Sequence, residues 1–163
     1  AARLHRASGM VLRPECHAPP PADRTLERAM AGLDAHTPTG LVLFGGTGSR
    51  VMKTIARRLP HTPLVLMCGR NEALAAELRA LPAPAPRIVL GFSPEVARWM
   101  RRCDFFIGKP GPGSLSEAVA QGLPVITTRN AWTMPQERHN TEWVREHGLG
   151  LVLRRFAEVD EAV

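Results

Sequence analysis

Tyrosine is absent from this 163-residue chain, and all aromatic residues together make up only 5%. A surface that reads nucleic-acid sequence or stacks single-stranded bases normally needs more aromatic residues than this, and no nucleic-acid recognition module is recognisable. Long hydrophobic runs are also missing. Nothing approaches the roughly 20 apolar residues needed to cross a bilayer, so the expectation is a soluble domain. Cysteine is scarce: Cys16, Cys68 and Cys103 are odd in number and far apart, with neither zinc spacing nor a disulfide framework. A reducing compartment and a packing role for all three follow as expectations. The six histidines form no metal-ligand pattern. The first ten residues, "AARLHRASGM", begin without Met and lack the apolar core of a signal peptide, so the chain is expected to be a piece of a longer one.

The length is that of one ordinary domain, and 44% hydrophobic with 22% charged residues is a globular composition. A formal charge of +6 favours anionic partners, among them phosphates or an acidic membrane surface. From Gly40 onward, short apolar runs alternate with stretches of helical spacing. The runs predict strands at Leu41–Phe44, Leu64–Cys68, Arg87–Gly91, Asp104–Ile107, Pro124–Thr127 and Leu149–Leu153. Helices are expected near Arg50–Leu59, Glu72–Leu81, Pro94–Arg102, Leu115–Gln121 and Gln136–His147. Ser93, Pro94 and Glu95 have the chemistry of a helix start. Ahead of the first strand, the Pro-rich "RPECHAPPPAD" reads as a linker into a helix at about Asp23–Ala35. Strand and helix in regular alternation mean parallel pairing, hence an α/β, doubly wound, Rossmann-like sheet of about six strands.

Ligands in such sheets bind at the carboxyl ends of the strands. Two glycine loops fall there: "GGTGS" after the first strand and "GKPGPGS" after the fourth. Neither supplies the P-loop spelling, which excludes that class of nucleotidase. The dinucleotide pattern G-x-G-x-x-G is met by Gly46 and Gly48 but meets Val51 at its third position. A nicotinamide-binding reading, with Arg70 as a 2′-phosphate ligand, stays open.

Ser114 and Glu117 fit a capping box, a purely structural role. Alternatively, the loop glycines admit a phosphate to the helix N-terminus while Glu117 accepts hydrogen bonds from the hydroxyls of an attached sugar. Gln136, Glu137 and Asn140 open the helix after the fifth strand and are expected to face the same crevice. His139 lacks a carboxylate partner at triad-like spacing, and no acidic pair is placed to hold a metal, so neither a metal nor any other cofactor is expected.

The segment "GFSPEVARWMRRCDFFIGKPGPGSLSEAVAQGLPVITT", followed by "PQERHN" and "EHGLG", resembles the carboxyl-terminal, donor-binding domain of GT-B fold glycosyltransferases. The likeness is to monogalactosyldiacylglycerol synthases and processive diacylglycerol glucosyltransferases. The peptidoglycan N-acetylglucosaminyltransferase is a more distant relative. The resemblance runs from about Gly9 to Leu153, and its most specific part is "GKPGPGSLSEA" with "GLP" following.

This resemblance implies a UDP-sugar donor. Glu117 would bind the ribose hydroxyls, and Ser114 with the amides around Gly111 and Gly113 would bind the diphosphate. Gly46, Thr47 and Gly48 would approach the phosphates from the other side, and the backbone near Phe92 and Ser93 would recognise uracil. Gln136, Glu137 and Asn140 would contact the hexose. "GMVLRP" looks like the interdomain linker, with Arg13 as a diphosphate ligand. Residues 1–22 are then a linker remnant and 23–163 the donor domain. A GT-B enzyme has two such domains, so an acceptor domain carrying the general base is expected ahead of Gly9, and this piece alone is expected to transfer little. The implied acceptor is a lipid, diacylglycerol, and the implied location cytoplasmic, peripheral to the inner face of a membrane. A non-catalytic nucleotide-binding or regulatory domain remains the alternative.

Overall fold

The computed structural model describes residues 10–163; the first part of the expected linker, residues 1–9, lies outside them. Six strands form one parallel sheet: β1 (Gly40–Leu43), β2 (Leu64–Met67), β3 (Arg87–Leu90), β4 (Phe105–Gly108), β5 (Val125–Thr128) and β6 (Gly150–Leu153). Their spatial order is β3-β2-β1-β4-β5-β6, so the direction of winding reverses between β1 and β4. Leu41 pairs with Val65 on one side and with Phe106 on the other.

Successive side chains of each strand point to opposite faces, and helices cover both faces, as parallel sheets require, so both sets are apolar. Val42, Leu64, Leu66 and Ile107 point to one side, against Met52 and Ile55 of α2 (Val51–Arg58), Leu74 and Leu78 of α3 (Glu72–Arg79), and Phe156 of a C-terminal 3-10 segment. Leu41, Leu43, Val65 and Phe106 point to the other. There they meet Met100 of α4 (Val96–Arg102), Leu115 and Ala118 of α5 (Pro112–Ala120), and Val144 of α6 (Pro135–Glu146). Phe106 is fully buried, and truncating such a side chain to Ala costs about 3–5 kcal/mol. All three cysteines are buried and unpaired.

Three expected boundaries move, each for a local reason. The first helix, α1, covers only Arg24–Met30 rather than reaching Ala35. It ends because Gly32 adopts φ +75°, which lets the Leu33 amide donate back to the Arg28 carbonyl at 2.9 Å and close the helix. Ser93 does not cap α4. Its hydroxyl accepts from the Glu95 amide at 3.2 Å in a turn ahead of the helix, which begins at Val96. Ser114 does not open α5 either. The helix starts at Pro112 with Gly111 as its N-cap, so Ser114 sits inside the first turn and the capping box with Glu117 does not form.

Below the sheet, at the amino ends of β1 and β4, Asp104 ties the elements together. Its carboxylate accepts from Arg28 at 2.8 Å, from Arg24 at 2.7 Å and from the Thr39 amide at 2.8 Å. Arg28 is 1% exposed and also donates to the carbonyls of Asp34, Thr37 and Arg102. This hub fixes the β1–β4 seam from beneath, and the seam's upper end is where the loops diverge.

Candidate functional site

At the carboxyl ends of the strands, where winding reverses, the loops leave a crevice of about 530 Å³. Its floor is Leu43, Met67 and Val96, the ends of β1 and β2 and the start of α4. Gly45 and Gly46 form one wall and Gly91, Phe92, Ser93 and Pro94 another. Gly113, Ser114 and Glu117 of α5 close the third side, with Arg13 and Glu15 from the N-terminal segment across the mouth.

The walls approach this closely because side chains are missing where backbones meet. Gly69, at the end of β2, adopts φ +60°, and a Cβ there would lie 2.2 Å from the Gly46 carbonyl oxygen. That same oxygen accepts from the Arg70 amide at 2.8 Å, so the loops after β1 and β2 are stitched together. Asn71 caps α3 by accepting from the Leu74 amide and donates its side-chain amide to the Thr47 carbonyl at 3.2 Å.

On the α5 side the chemistry is that of an anion site. The helix has no acidic residue in its first turn and no side-chain cap, and Pro112 brings no N–H. The Gly113 and Ser114 amides are thus the first donors of the helix, and a Cβ at Gly113 would meet nothing within 4 Å. Glu117, buried one turn in, is held by Arg13: Nε donates to Oε1 and Nη2 to Oε2, both at 2.6 Å. The Glu117 hydrogen bonds push the Arg13 guanidinium above its ordinary pKa, with burial opposing. For the thiol of Cys16, three residues on, burial acts in the other direction and pushes its pKa up.

Of the residues expected from sequence, Arg13, Gly46, Phe92, Ser93, Gly113, Ser114 and Glu117 line this single crevice. Gly111 is buried beneath it as the α5 N-cap. Thr47 and Gly48 do not line it. The chain at Gly48 turns toward β2, where a Cβ would meet the Cys68 carbonyl oxygen at 2.9 Å, so this glycine serves loop packing. Gln136, Glu137 and Asn140 do not line it either, against the expectation of a shared crevice. Asn140 donates to the Pro110 carbonyl at 2.7 Å, and Glu137 lies 3.6 Å from Lys109 Nζ. They brace the loop between β4 and α5 from behind, while Gln136 and His139 face outward. Trp132 is 93% exposed, and Trp143 is half-buried against the core.

Sequence reasoning missed Glu15, Gly69 and Gly91 as lining residues. The glycines carried a signal, since each directly follows the apolar run of a strand. Cation–π contact between Arg70 and Phe92, 5.3 Å from guanidinium to ring centroid, occupies the side chain that would have marked a 2′-phosphate site. Among the described residues no three His, Cys, Asp or Glu side chains converge to hold a metal ion, and no helix is long and apolar enough to cross a membrane.

No protein-family model matches the chain. Among characterised proteins it is 34% identical over 147 residues to the chloroplastic monogalactosyldiacylglycerol synthase of Spinacia oleracea, covering 83% of this chain and 28% of that protein. It is 31% identical over 166 residues to monogalactosyldiacylglycerol synthase 1 of Arabidopsis thaliana, covering 95% and 31%. The chain therefore spans under a third of the length of these relatives. Two solved structures share the fold. WaaG, a glycosyltransferase involved in lipopolysaccharide biosynthesis, superposes with a TM-score of 0.64 at 18% identity, over 93% of this chain and 44% of that one. MurG of Acinetobacter baumannii gives 0.63 at 19% identity, over 96% and 47%. The chain is homologous to the monogalactosyldiacylglycerol synthases over roughly a third of their length or less, and its fold is that of the Rossmann-like domains of GT-B glycosyltransferases.

Proposed function

We propose that this chain is the donor-binding domain of a hexosyltransferase that moves a hexose from a UDP-sugar to a lipid acceptor, diacylglycerol. The observation that carries the reading is the convergence of Gly113, Ser114, Glu117 and Arg13 on one crevice at the β1–β4 switch point. The names of the relatives point to galactose and to diacylglycerol as the groups joined. In this reading residues 23–163 are the donor domain and 1–22 the tail of an interdomain linker. The general base and the acceptor site belong to a second domain, and the whole enzyme sits peripherally on a cytoplasmic membrane face.

In this reading the domain's chemical task is binding and leaving-group stabilisation. The free amides at the start of α5 meet the diphosphate, whose negative charge grows as the bond to the anomeric carbon breaks, and backbone donors held by a helix need no reorganisation as it does. Glu117 takes the ribose diol, and Phe92 and Ser93 frame the base. Isothermal titration of the chain with UDP and with NADPH tests the reading. Saturable binding of UDP, with NADPH silent, is the expected result. Binding of NADPH without UDP, or of neither, overturns it.

A further inference from the structure

We propose that Arg13 is a positioning residue for Glu117, orienting the carboxylate that accepts the ribose diol, and is not itself a ligand of the diphosphate. The inference rests on the UDP reading and changes the role that family resemblance gives to Arg13. The geometry carries it. Both carboxylate oxygens of Glu117 are engaged by one guanidinium fork at 2.6 Å. A carboxylate offers about two acceptor sites per oxygen, so the fork takes one from each and leaves one on each. Two remaining acceptors in a fixed plane match the two hydroxyls of a ribose. An unheld carboxylate beside a diphosphate would instead be driven to rotate away by like charge.

The segment that carries Arg13 is itself fastened down. Cys16 is buried, its carbonyl accepts from Gln121 of α5 at 2.9 Å, and the Glu15 carbonyl accepts from Arg101 of α4 at 3.0 Å. The guanidinium is thus placed by contacts to both helices that border the crevice, before any ligand arrives. To grip a diphosphate with the same fork, Arg13 would have to release Glu117 and leave a buried carboxylate without its counter-charge. Glu15, also lining the crevice beside Arg13, makes that exchange less favourable still.

Binding of uridine, UDP, 2′,3′-dideoxyuridine and inorganic pyrophosphate, followed by amide chemical shifts, separates the two roles. Arg13→Ala removes the positive charge as well as the fork, and an uncompensated Glu117 then repels any phosphate whichever role Arg13 has, so the charge-keeping variant is the one that discriminates. Arg13→Lys keeps the charge but not the fork, so the expectation is an affinity loss of about fivefold for uridine and an equal loss for UDP, with no change for dideoxyuridine or pyrophosphate. In Arg13→Lys, a loss larger for UDP than for uridine, or a loss for pyrophosphate with dideoxyuridine unchanged, makes Arg13 a phosphate ligand and overturns the proposal. So does an equal weakening of all four ligands, which would mark a merely structural residue, or no change at all. If the wild-type chain binds none of them, the UDP reading itself has failed, which is a separate result.

Discussion

Replacing Asp104 by Asn tests the hub that holds the β1–β4 seam in register. Asn keeps the shape but turns one of the two oxygens into an N–H₂ group, which must then face a donor, whether Arg24, Arg28 or the Thr39 amide. Arg28 is the costly partner. Its side chain is 1% exposed, and with Asp104 neutral its charge has no counter-ion, although carbonyls still solvate it. Breaking a buried pair from one side costs about 3–5 kcal/mol. Asp104 is 31% exposed, so water can partly take its place and the lower end applies. Arg24, 43% exposed, adds less than about 1 kcal/mol. The sum is about 3–4 kcal/mol, or a fall in Tm of about 6–16 °C for a domain of this size.

The pH dependence supplies a second reading of the same variant. Burial pushes the Asp104 carboxyl up, but hydrogen bonds from Arg24, the Thr39 amide and Arg28 outweigh it and hold the folded value below 3.8. A depressed carboxylate contributes stability that is present above its unfolded pKa and lost as pH falls through the folded one. Wild-type stability should therefore decline below about pH 4 with a component that Asp104→Asn lacks. Urea unfolding at pH 7 and at pH 3 measures both. A loss under 0.5 kcal/mol at about pH 7, or an unchanged acid limb, refutes this account of the hub.

Three further outcomes follow from the geometry. Gly69→Ala places a Cβ 2.2 Å from the Gly46 carbonyl oxygen at a left-handed φ; it should cost at least about 2–4 kcal/mol in chemical denaturation and weaken UDP binding by spreading the crevice walls. Ser114→Ala should change stability by less than about 0.5 kcal/mol, because Ser114 is not a cap, where a true N-cap would lose about 0.5–2. Burial pushes the Cys103 thiol up to about 12, above its ordinary value of 9.0. The folded chain keeps that proton while the unfolded one releases it, so stability should fall as pH rises above about 9, and Cys103→Ala should remove the Cys103 share of that fall in thermal melts while the Cys16 and Cys68 thiols, also pushed up by burial, keep theirs.

How far the sequence reveals this molecule depends on the range of each interaction. Strand positions were legible because apolar runs such as Leu64–Met67 can be buried on both faces only in a covered parallel sheet. Helix starts were less so. Ser93 and Ser114 have cap chemistry, yet Pro112 at the first helical position and Gly111 before it decide where α5 begins. The glycines after β1, β2, β3 and β4 marked the crevice without revealing which of them face it; Gly48 packs on the end of β2 while Gly113 stays open. The Arg13–Glu117 pair spans 104 positions and left no trace in spacing, because only the docking of Pro14–His17 brings the two side chains together.

The central claim is that a UDP diphosphate meets the first amides of α5 with its ribose at Glu117. A heteronuclear NMR titration of the chain with UDP tests it most directly. The largest shifts should fall on the Gly113 and Ser114 amides and on Ser93, and they should be lost in Glu117→Ala while its spectrum still shows a folded chain. Shifts centred on Thr47 and Gly48, or on the Gln136–Asn140 face of α6, with Gly113 and Ser114 unmoved, would contradict the account.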